Sequence, residues 1–342
     1  MHRVADQIVE ILEKAGVKRI YGIVGDSLNP VTDALRRRKT IEWIHVRHEE
    51  VAAFAASAEA QLSGNLAVCC GSSGPGNLHL INGLFDAHRN HAPVLAIASH
   101  IPQSQVGMEY FQATHPEQLF KECSAYAELV SEASQAPCIL MSAIQHAWAR
   151  RDVGVVVLPG DIADAPAEMK NLVHPPSYTR ENVVPEHESV SLLARMLDDH
   201  RRITFFCGAG CAGAEDKVVR LANRLKAPIA YTWRGKDYFE HDNPLGIGMT
   251  GLLGWGDAYK AMHESDMLVL WGTDFPYFNF IPTKPEIVQI DRRGEVLGRR
   301  CRLDLGICGD VSVTAEALLN MVQEKTDSGH LDAALKRHAR DV

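Results

Sequence analysis

Three short runs of almost uninterrupted apolar residues, at 66–70, 93–98 and 155–158, constrain the fold of this sequence more than any other feature. A strand without polar alternation is covered on both faces, and strands of that kind belong to parallel sheets whose crossover connections are helices. The residues between the runs supply those helices. A strand at 19–24 runs into Gly25, Asp26 and Ser27, and a helix follows through Ala34 to Arg38. A strand at 41–46 leads into an alanine-rich helix, 47–61, that stops at Gly64. The turn Gly71, Ser72, Ser73, Gly74, Pro75, Gly76, Asn77 then opens a helix to about His88. Residues 1–163 read as one doubly wound parallel-sheet domain of the α/β class.

From 164 to 186 the texture changes, and Pro166, Pro175, Pro176 and Pro185 among polar residues mark an interdomain linker. The pattern then restarts, with a helix at 189–199, a strand at 203–207, a glycine turn, a helix to Lys226, strands at 228–233, 267–271 and 286–290, and a helix at 314–322. A second doubly wound domain spans 187–324, and 342 residues suffice for two such cores. The tail 325–342 is polar and weakly helical, and is expected to begin a further domain. Val4, Ile8, Ile11, Leu12 and Ala15 at helical spacing make the N-terminus an amphipathic helix rather than a signal peptide. No run is long enough to span a membrane. A net charge of -8 argues against nucleic acid as a partner. The eight cysteines include no C-x-x-C pair and read as reduced core thiols of a cytoplasmic protein.

Glu49 and Glu50 open the 47–61 helix, and Ala52, Ala53, Ala55, Ala56, Ala58 and Ala60 leave it little side-chain bulk. A helix of this composition is buried nearly all round. The positive end of the helix favours an ionised carboxylate there, while burial opposes it, so one glutamate stands where a functional carboxylate can be tuned. An ordinary helix start is the plain alternative. Residues 208–213 match G-x-G-x-x-G between a strand and a helix, where backbone N–H groups approach a pyrophosphate. The next strand ends in Trp233, Arg234, Gly235 and Lys236 instead of an acidic residue, which argues against NAD and for another nucleotide held partly by charge. A tight turn without a ligand is the alternative. Thr250, Gly251, Leu252, Leu253 and Gly254, then Gly272, Thr273, Asp274, Phe275, Pro276 and Tyr277, then Asp291 and the pair Gly309-Asp310, fall at one carboxyl edge, where open α/β sheets bind ligands. The turn 71–77 lacks the Lys-Ser/Thr ending of a P-loop, so nucleoside triphosphate hydrolysis is not expected. His79, His88 and His91 show no metal spacing with a matching carboxylate and read as solvated or capped. Phe111 and Gln112 lie in a loop that reads by itself as packing.

The segments AGVKRIYGIVGDSLN, RHEEVAAFAASAEAQLSG, GSSGPGNLHLINGLFDAHRNHAPVLAIASHIP, YFQATHPEQLF, VVVLPGD, GAGCAGA, MTGLLG and FPY span nearly the whole chain. Together they resemble the thiamine-diphosphate-dependent enzymes, and among them the pyruvate:quinone oxidoreductase (pyruvate oxidase) family. The resemblance implies a pyrimidine-binding domain followed by a Rossmann-like central FAD-binding domain. It puts on Glu49 the catalytic hydrogen bond to the cofactor's aminopyrimidine N1′. It places Val24, Gly25, Ser73, Pro75 and Asn77 near the pyrimidine, and His79, Phe111 and Gln112 towards the substrate. FAD is implied at Gly208, Gly210, Arg234, Thr250, Gly251, Leu252, Leu253, Thr273, Asp274, Phe275, Pro276, Tyr277 and Asp291. The implied reaction is oxidative decarboxylation of pyruvate to acetate and CO2, with electrons passing through FAD to a quinone. Family members continue into a third domain that binds the diphosphate and Mg²⁺ from a Gly-Asp-Gly start. No Gly-Asp-Gly occurs here, so the resemblance implies a fragment with no metal ligand of its own, or a chain completed by another polypeptide. It also implies a homotetramer, and membrane contact at the inner membrane only through the C-terminal region. An acetolactate-synthase-like carboligase with structural FAD and a non-catalytic nucleotide-binding module are the alternatives.

Overall fold

The computed structural model describes residues 2–167, 182–254 and 256–341, and the chain divides into two compact units between Arg180 and Glu181. The first unit runs α1 (Val4–Lys14), β1 (Arg19–Gly22), α2 (Asn29–Arg38), β2 (Glu42–His45), α3 (Glu49–Ser63), β3 (Ala67–Gly71) and α4 (Pro75–Asn90). It continues with β4 (Val94–His100), α5 (Pro116–Leu119), β5 (Tyr126–Leu129), α6 (Ala136–Arg150), β6 (Val153–Pro159) and α7 (Gly160–Asp164). Its six strands lie in the order β2-β1-β3-β4-β6-β5, all parallel.

Strand periodicity sorts the apolar runs onto two faces. Val68, Cys70, Leu95, Ile97, Val156 and Leu158 pack in one core with Val4, Ile8, Leu12, Val31, Leu140 and Ile144, which come from α1, α2 and α6. On the other face Ala67, Cys69, Ala96, Ala98, Val155 and Val157 meet Ala52, Ala53, Ala56, Ala60, Leu80 and Leu84 from α3 and α4. That second core is lined largely by alanine, so helices and sheet approach closely. The crossing of α3 and α4 is closer still: a Cβ on Gly83 would stand 2.6 Å from Ala53 Cβ and 2.8 Å from the Phe54 nitrogen. The short basic run at the end of α2 is tied down, with Arg37 on Asp6 and Asp33, and Arg38 on Glu10 and Glu13 of α1.

The second unit runs α8 (His187–Asp199), β7 (Ile203–Cys207), α9 (Glu215–Leu225), β8 (Ile229–Tyr231), α10 (Lys236–Phe239), β9 (Gly246–Met249) and α11 (Gly256–Glu264). It ends with β10 (Met267–Trp271), β11 (Glu286–Asp291), β12 (Leu305–Cys308), α12 (Val311–Leu319) and α13 (Gly329–Asp341). Its parallel sheet has the order β12-β11-β10-β7-β8-β9. Phe205, Val269, Val288 and Ile290 face one core, while Phe206, Leu268, Leu270 and Ile287 face the other.

The two doubly wound α/β domains expected from the sequence are present. Eight elements were not anticipated: α5, β5, α6, α7, α10, β9, α11 and β12. The tail expected to open a further domain is described as part of the second unit: α13 buries Leu331 and Ala334 in its cores, and His330 Nε2 lies 2.9 Å from Thr204 Oγ1. Residues 168–181 of the expected linker, with Pro175 and Pro176, lie outside the described residues. All eight cysteines are free, but three are not core thiols: Cys138 and Cys308 are exposed and Cys301 is half-buried. Among the described residues, no helix is long and apolar enough to cross a membrane.

Candidate active site

In the first sheet the winding reverses between β1 and β3, with β2 outside one and β4 outside the other. Loops leaving the carboxyl ends of such neighbours diverge and form a ligand crevice. The loop after β1 carries Val24, 54% exposed on the rim, and Gly25. A Cβ on Gly25 would stand 2.6 Å from Ser72 Cβ in the loop after β3, so the crevice floor admits only glycine there.

Glu49 enters this crevice as the first residue of α3. His48 occupies the N-cap with extended backbone, and its Nδ1 accepts the Glu50 N–H at 3.2 Å. Glu49 itself is 7% exposed, and its Oε2 lies 3.0 Å from Nδ1 of His79 on α4. The His79 ring stacks on His48, with centroids 4.2 Å apart and planes inclined by 27°. The other carboxylate oxygen faces the glycine turn, where a Cβ on Gly76 would stand 3.1 Å from Glu49 Oε1. Among the described residues no protein hydrogen bond reaches Oε1.

The turn after β3 is braced from several sides. The Ser73 N–H donates to Ser27 Oγ at 3.0 Å, and the Ser73 hydroxyl donates to Gln112 Oε1 at 3.0 Å. Gly74, at φ +68, lies under Gln112, where a Cβ would meet its carbonyl at 3.0 Å. Pro75 starts α4, its fixed φ suiting the first helical turn. Asn77 Nδ2 donates to the Ser99 carbonyl at 2.7 Å, while its Oδ1 is buried without a partner. Glu49, His79, Ser73, Asn77 and Gln112 thus gather around one turn. Phe111 does not join them: it is 80% exposed, with its ring against Tyr110.

Of the three histidines read as solvated or capped, two meet a carboxylate. His79 pairs with Glu49, and His88 Nδ1 lies 2.7 Å from Asp152 Oδ1. Those partners are 30 and 64 residues away in sequence, beyond any local spacing rule. His91 is the left-handed C-cap of α4. The ligand atoms of His48, Glu49 and His79 lie within 4.8 Å of one another. Nearly parallel imidazoles direct their in-plane lone pairs side by side instead of at one point, so this trio is a hydrogen-bonded cluster rather than a preformed metal cage.

In the second sheet the reversal falls between β7 and β10. Here the glycine turn at residues 208–213, where a pyrophosphate is expected, has several of its N–H groups bonded within the protein. The N–H groups of Gly208 and Gly210 donate to the carbonyls of Trp271 and Gly272, both at 2.9 Å, and the Gly213 N–H donates to Glu215 Oε1 at 2.9 Å. A Cβ at Gly208 or Gly210 would stand 2.6 or 2.7 Å from Gly272, so these glycines allow two loops to touch. Glu215 and Asp216 place negative charge at the start of α9, where a phosphate would otherwise sit.

The surrounding loops remain at the same carboxyl edge. Thr250 and Thr273 are buried, Leu252 and Leu253 are exposed, and Arg234 is exposed in the turn after β8. Gly251, at φ +122, packs its Cα under Phe275, which meets Phe206 edge-on at 5.0 Å and Tyr277 at 5.3 Å. Pro276 follows, and Asp274 is clamped by Arg299 and Arg300, both at 3.1 Å. Asp291 closes β11; burial pushes its carboxyl above the ordinary range, and the Arg293 N–H and guanidinium oppose that rise. The reading from sequence missed His48, Ser27, Gln289 (which donates to the Thr273 carbonyl at 3.0 Å) and the two arginines on Asp274. Only His48 had a local signal, its place directly before a helix start, and histidine is not among the usual caps.

Comparison with known proteins matches residues 2–122 to "Thiamine pyrophosphate enzyme, N-terminal TPP binding domain" and residues 190–318 to "Thiamine pyrophosphate enzyme, central domain". An uncharacterized 42.6 kDa protein of Pseudomonas amyloderamosa is 56% identical over 99% of this chain and 86% of its own length. A putative thiamine pyrophosphate-containing protein of Bacillus subtilis is 34% identical over 97% of this chain and 58% of its own length. The pyruvate oxidase of Lactiplantibacillus plantarum is 32% identical over 93% of this chain and 54% of its own length, and a chloroplastic acetolactate synthase of Arabidopsis thaliana is 27% identical over 99% and 52%. The chain thus spans little more than half the length of these last three relatives.

Proposed function

The chain belongs to the thiamine pyrophosphate enzyme family, and from that premise we propose that it supplies the pyrimidine-facing and FAD-facing domains of a pyruvate oxidase. The reaction is oxidative decarboxylation of pyruvate to acetate and CO2, with the electron pair delivered through FAD to a quinone. Thiamine diphosphate, when bound, supplies the electron sink for decarboxylation, and FAD the acceptor for the electron pair.

The observation that carries the reading is the Glu49 carboxyl. It is nearly buried at the head of a helix, with Oε2 held by His79 and Oε1 left open against the glycine turn at Gly76. Oε1 is thereby offered as the hydrogen-bond partner of a ring nitrogen, the role proposed for Glu49. Val24 offers an apolar wall on the rim, and the braced turn at Ser73 and Asn77 keeps the floor rigid. His79 and Gln112 present polar groups on the side where a 2-oxo acid would lie. In the second unit, Arg234, Thr250, Leu252, Leu253, Tyr277 and Asp291 surround the crevice proposed for FAD. The exposed Val51, Phe54, Leu62 and Leu78 on α3 and α4 give a homo-oligomer an apolar face; light scattering that reads a monomer contradicts that part.

A carboligase of the acetolactate synthase kind is the second reading, favoured by a relative that aligns over 99% of the chain. The higher identity to a pyruvate oxidase, 32% against 27%, supports the oxidase. Anaerobic addition of pyruvate to the complete enzyme, loaded with thiamine diphosphate, Mg²⁺ and FAD, separates them. The oxidase reading expects bleaching of the flavin spectrum. An unbleached flavin with acetolactate as product contradicts it.

A further inference from the structure

We propose that the groove between α2 and the edge strand β2 binds a small organic phosphate of the nucleoside monophosphate class. The groove has a volume of about 590 Å³, and every residue lining it belongs to the first unit. Pockets of roughly 300–1,000 Å³ suit ligands of that size. β1 and β2 run parallel, with Arg19 beside Glu42 and Gly22 beside His45, and α2 returns between them. Lys18 stands at the turn into β1, Lys39 at the left-handed C-cap of α2, and Arg36 in its last turn. All three line the groove and gather at the amino end of the strands. Leu35 and Trp43 continue the wall, and Val24 ends it at the rim of the Glu49 crevice. One end of the groove is cationic and the other apolar, the polarity of a phosphate carried on an aromatic body.

The fold does not use up these three cations. In the basic run 36–39, Arg37 is bound by Asp6 and Asp33, and Arg38 by Glu10 and Glu13, so those two serve the contact of α1 with α2. Arg36 meets Asp33 through Nη2 alone, at 2.8 Å, which leaves the rest of its fork for a ligand. Lys18 and Lys39 are exposed, and among the described residues neither meets a carboxylate. The acidic residue of the lining, Glu42, has its carboxylate 3.9 Å from the Arg19 guanidinium. Cations at the carboxyl end of a helix also offset its dipole, which accounts for Arg36 and Lys39 on α2. Lys18 comes from a different element, and that role leaves its place in the same groove unexplained. Two lysines and an arginine fork match the charge and shape of a terminal phosphate. Trp43 offers the aromatic surface on which a base stacks; it packs against Gly22, where an added Cβ would stand 2.8 Å from its Cη2. Through Val24, an occupied groove bears on the loop that also carries Gly25 at the crevice.

The test is isothermal titration calorimetry of the purified protein with AMP as the probe, and with inorganic phosphate and adenosine as separate arms. The Trp43 indole N–H is followed in parallel by NMR, because AMP bound in the second unit would leave that signal unmoved. AMP should bind more tightly than either arm, shift the Trp43 signal, and bind more weakly as salt is raised. Lys18→Gln and Lys39→Gln should each weaken AMP binding by about 10-fold or more, the worth of one charge-assisted hydrogen bond. Both side chains are exposed, and circular dichroism confirms that each variant is folded. AMP that binds no tighter than inorganic phosphate or adenosine overturns the inference. So does bound AMP that leaves the Trp43 signal unmoved, or two lysine variants that bind AMP as the parent does. Neither the Glu49 cluster nor the second unit contributes a residue to this groove, so the inference and the proposed function stand or fall separately.

Discussion

Gly83→Ala separates two accounts of the α3–α4 pair. On an ordinary exposed helix this change stabilises, because alanine is favoured over glycine by about 1 kcal/mol in a helix interior. Here the added Cβ would lie 2.6 Å from Ala53 Cβ, 2.8 Å from the Phe54 nitrogen and 2.9 Å from the Glu50 carbonyl. Carbon atoms in contact sit about 3.5–4.0 Å apart, so the helices must separate by roughly 1 Å. Two of the three obstructing atoms are backbone and cannot rotate away. Overpacking of this kind costs about 1–3 kcal/mol, and strain at backbone belongs at the upper end. After the propensity gain the net loss is about 1–2 kcal/mol, which for a unit of this size lowers the melting temperature by on the order of 3–6 °C. The separation also falls between Glu49 on α3 and His79 on α4, so their 3.0 Å hydrogen bond should lengthen beyond bonding distance. Thermal unfolding by circular dichroism measures the first effect, and a crystal structure of the variant measures the second. A Gly83→Ala protein that melts higher than its parent would refute the close-approach argument.

Replacing Glu49 with Gln in the complete enzyme should lower pyruvate turnover by roughly 10²–10⁴-fold, the usual loss for a general acid–base group, and unchanged steady-state turnover removes Glu49 from the mechanism. Burial lowers the pKa values of His100 and His330 below the ordinary histidine value. Above about pH 6.5 folded and unfolded states are alike at these groups; below it the unfolded chain takes up protons first, so stability falls until the depressed folded values are reached. Thermal unfolding between pH 7.5 and about 5 should show that decline, and it should weaken in His330→Gln; a flat profile contradicts the reading. Truncating Phe275 to Ala removes the ring that packs on Phe206, Tyr277 and Gly251, and should cost about 3–5 kcal/mol together with any flavin the purified protein retains.

Much of the architecture could be read from residue order because period and burial agree. The runs around Val68, Leu95 and Val156 have apolar side chains on both parities, and the structure covers both faces of those strands. The alanines of α3 also announced close packing, although which glycine they would meet was not visible. The reading failed where local pattern is weak: β9 is built of Gly246, Ile247, Gly248 and Met249, and β12 is a half-exposed edge strand. It also saw no core element in the weakly helical tail, where the polar surface of α13 hides Leu331 and Ala334. At the site, Glu49 was legible from its place at a helix head, but its partner was not, since His79 lies 30 residues away and meets it only through the crossing of two helices. The glycine motif at 208–213 was legible as a turn, but the loop that takes up two of its N–H groups was not, since it lies about sixty residues later in the chain.

A crystal structure of the complete enzyme with thiamine diphosphate bound tests the central claim most directly. The account requires the pyrimidine ring to lie against Gly76 with a ring nitrogen within about 2.6–3.2 Å of Glu49 Oε1, while Oε2 stays on His79. A ring bound elsewhere, or a Glu49 side chain turned to solvent with the cofactor in place, contradicts it.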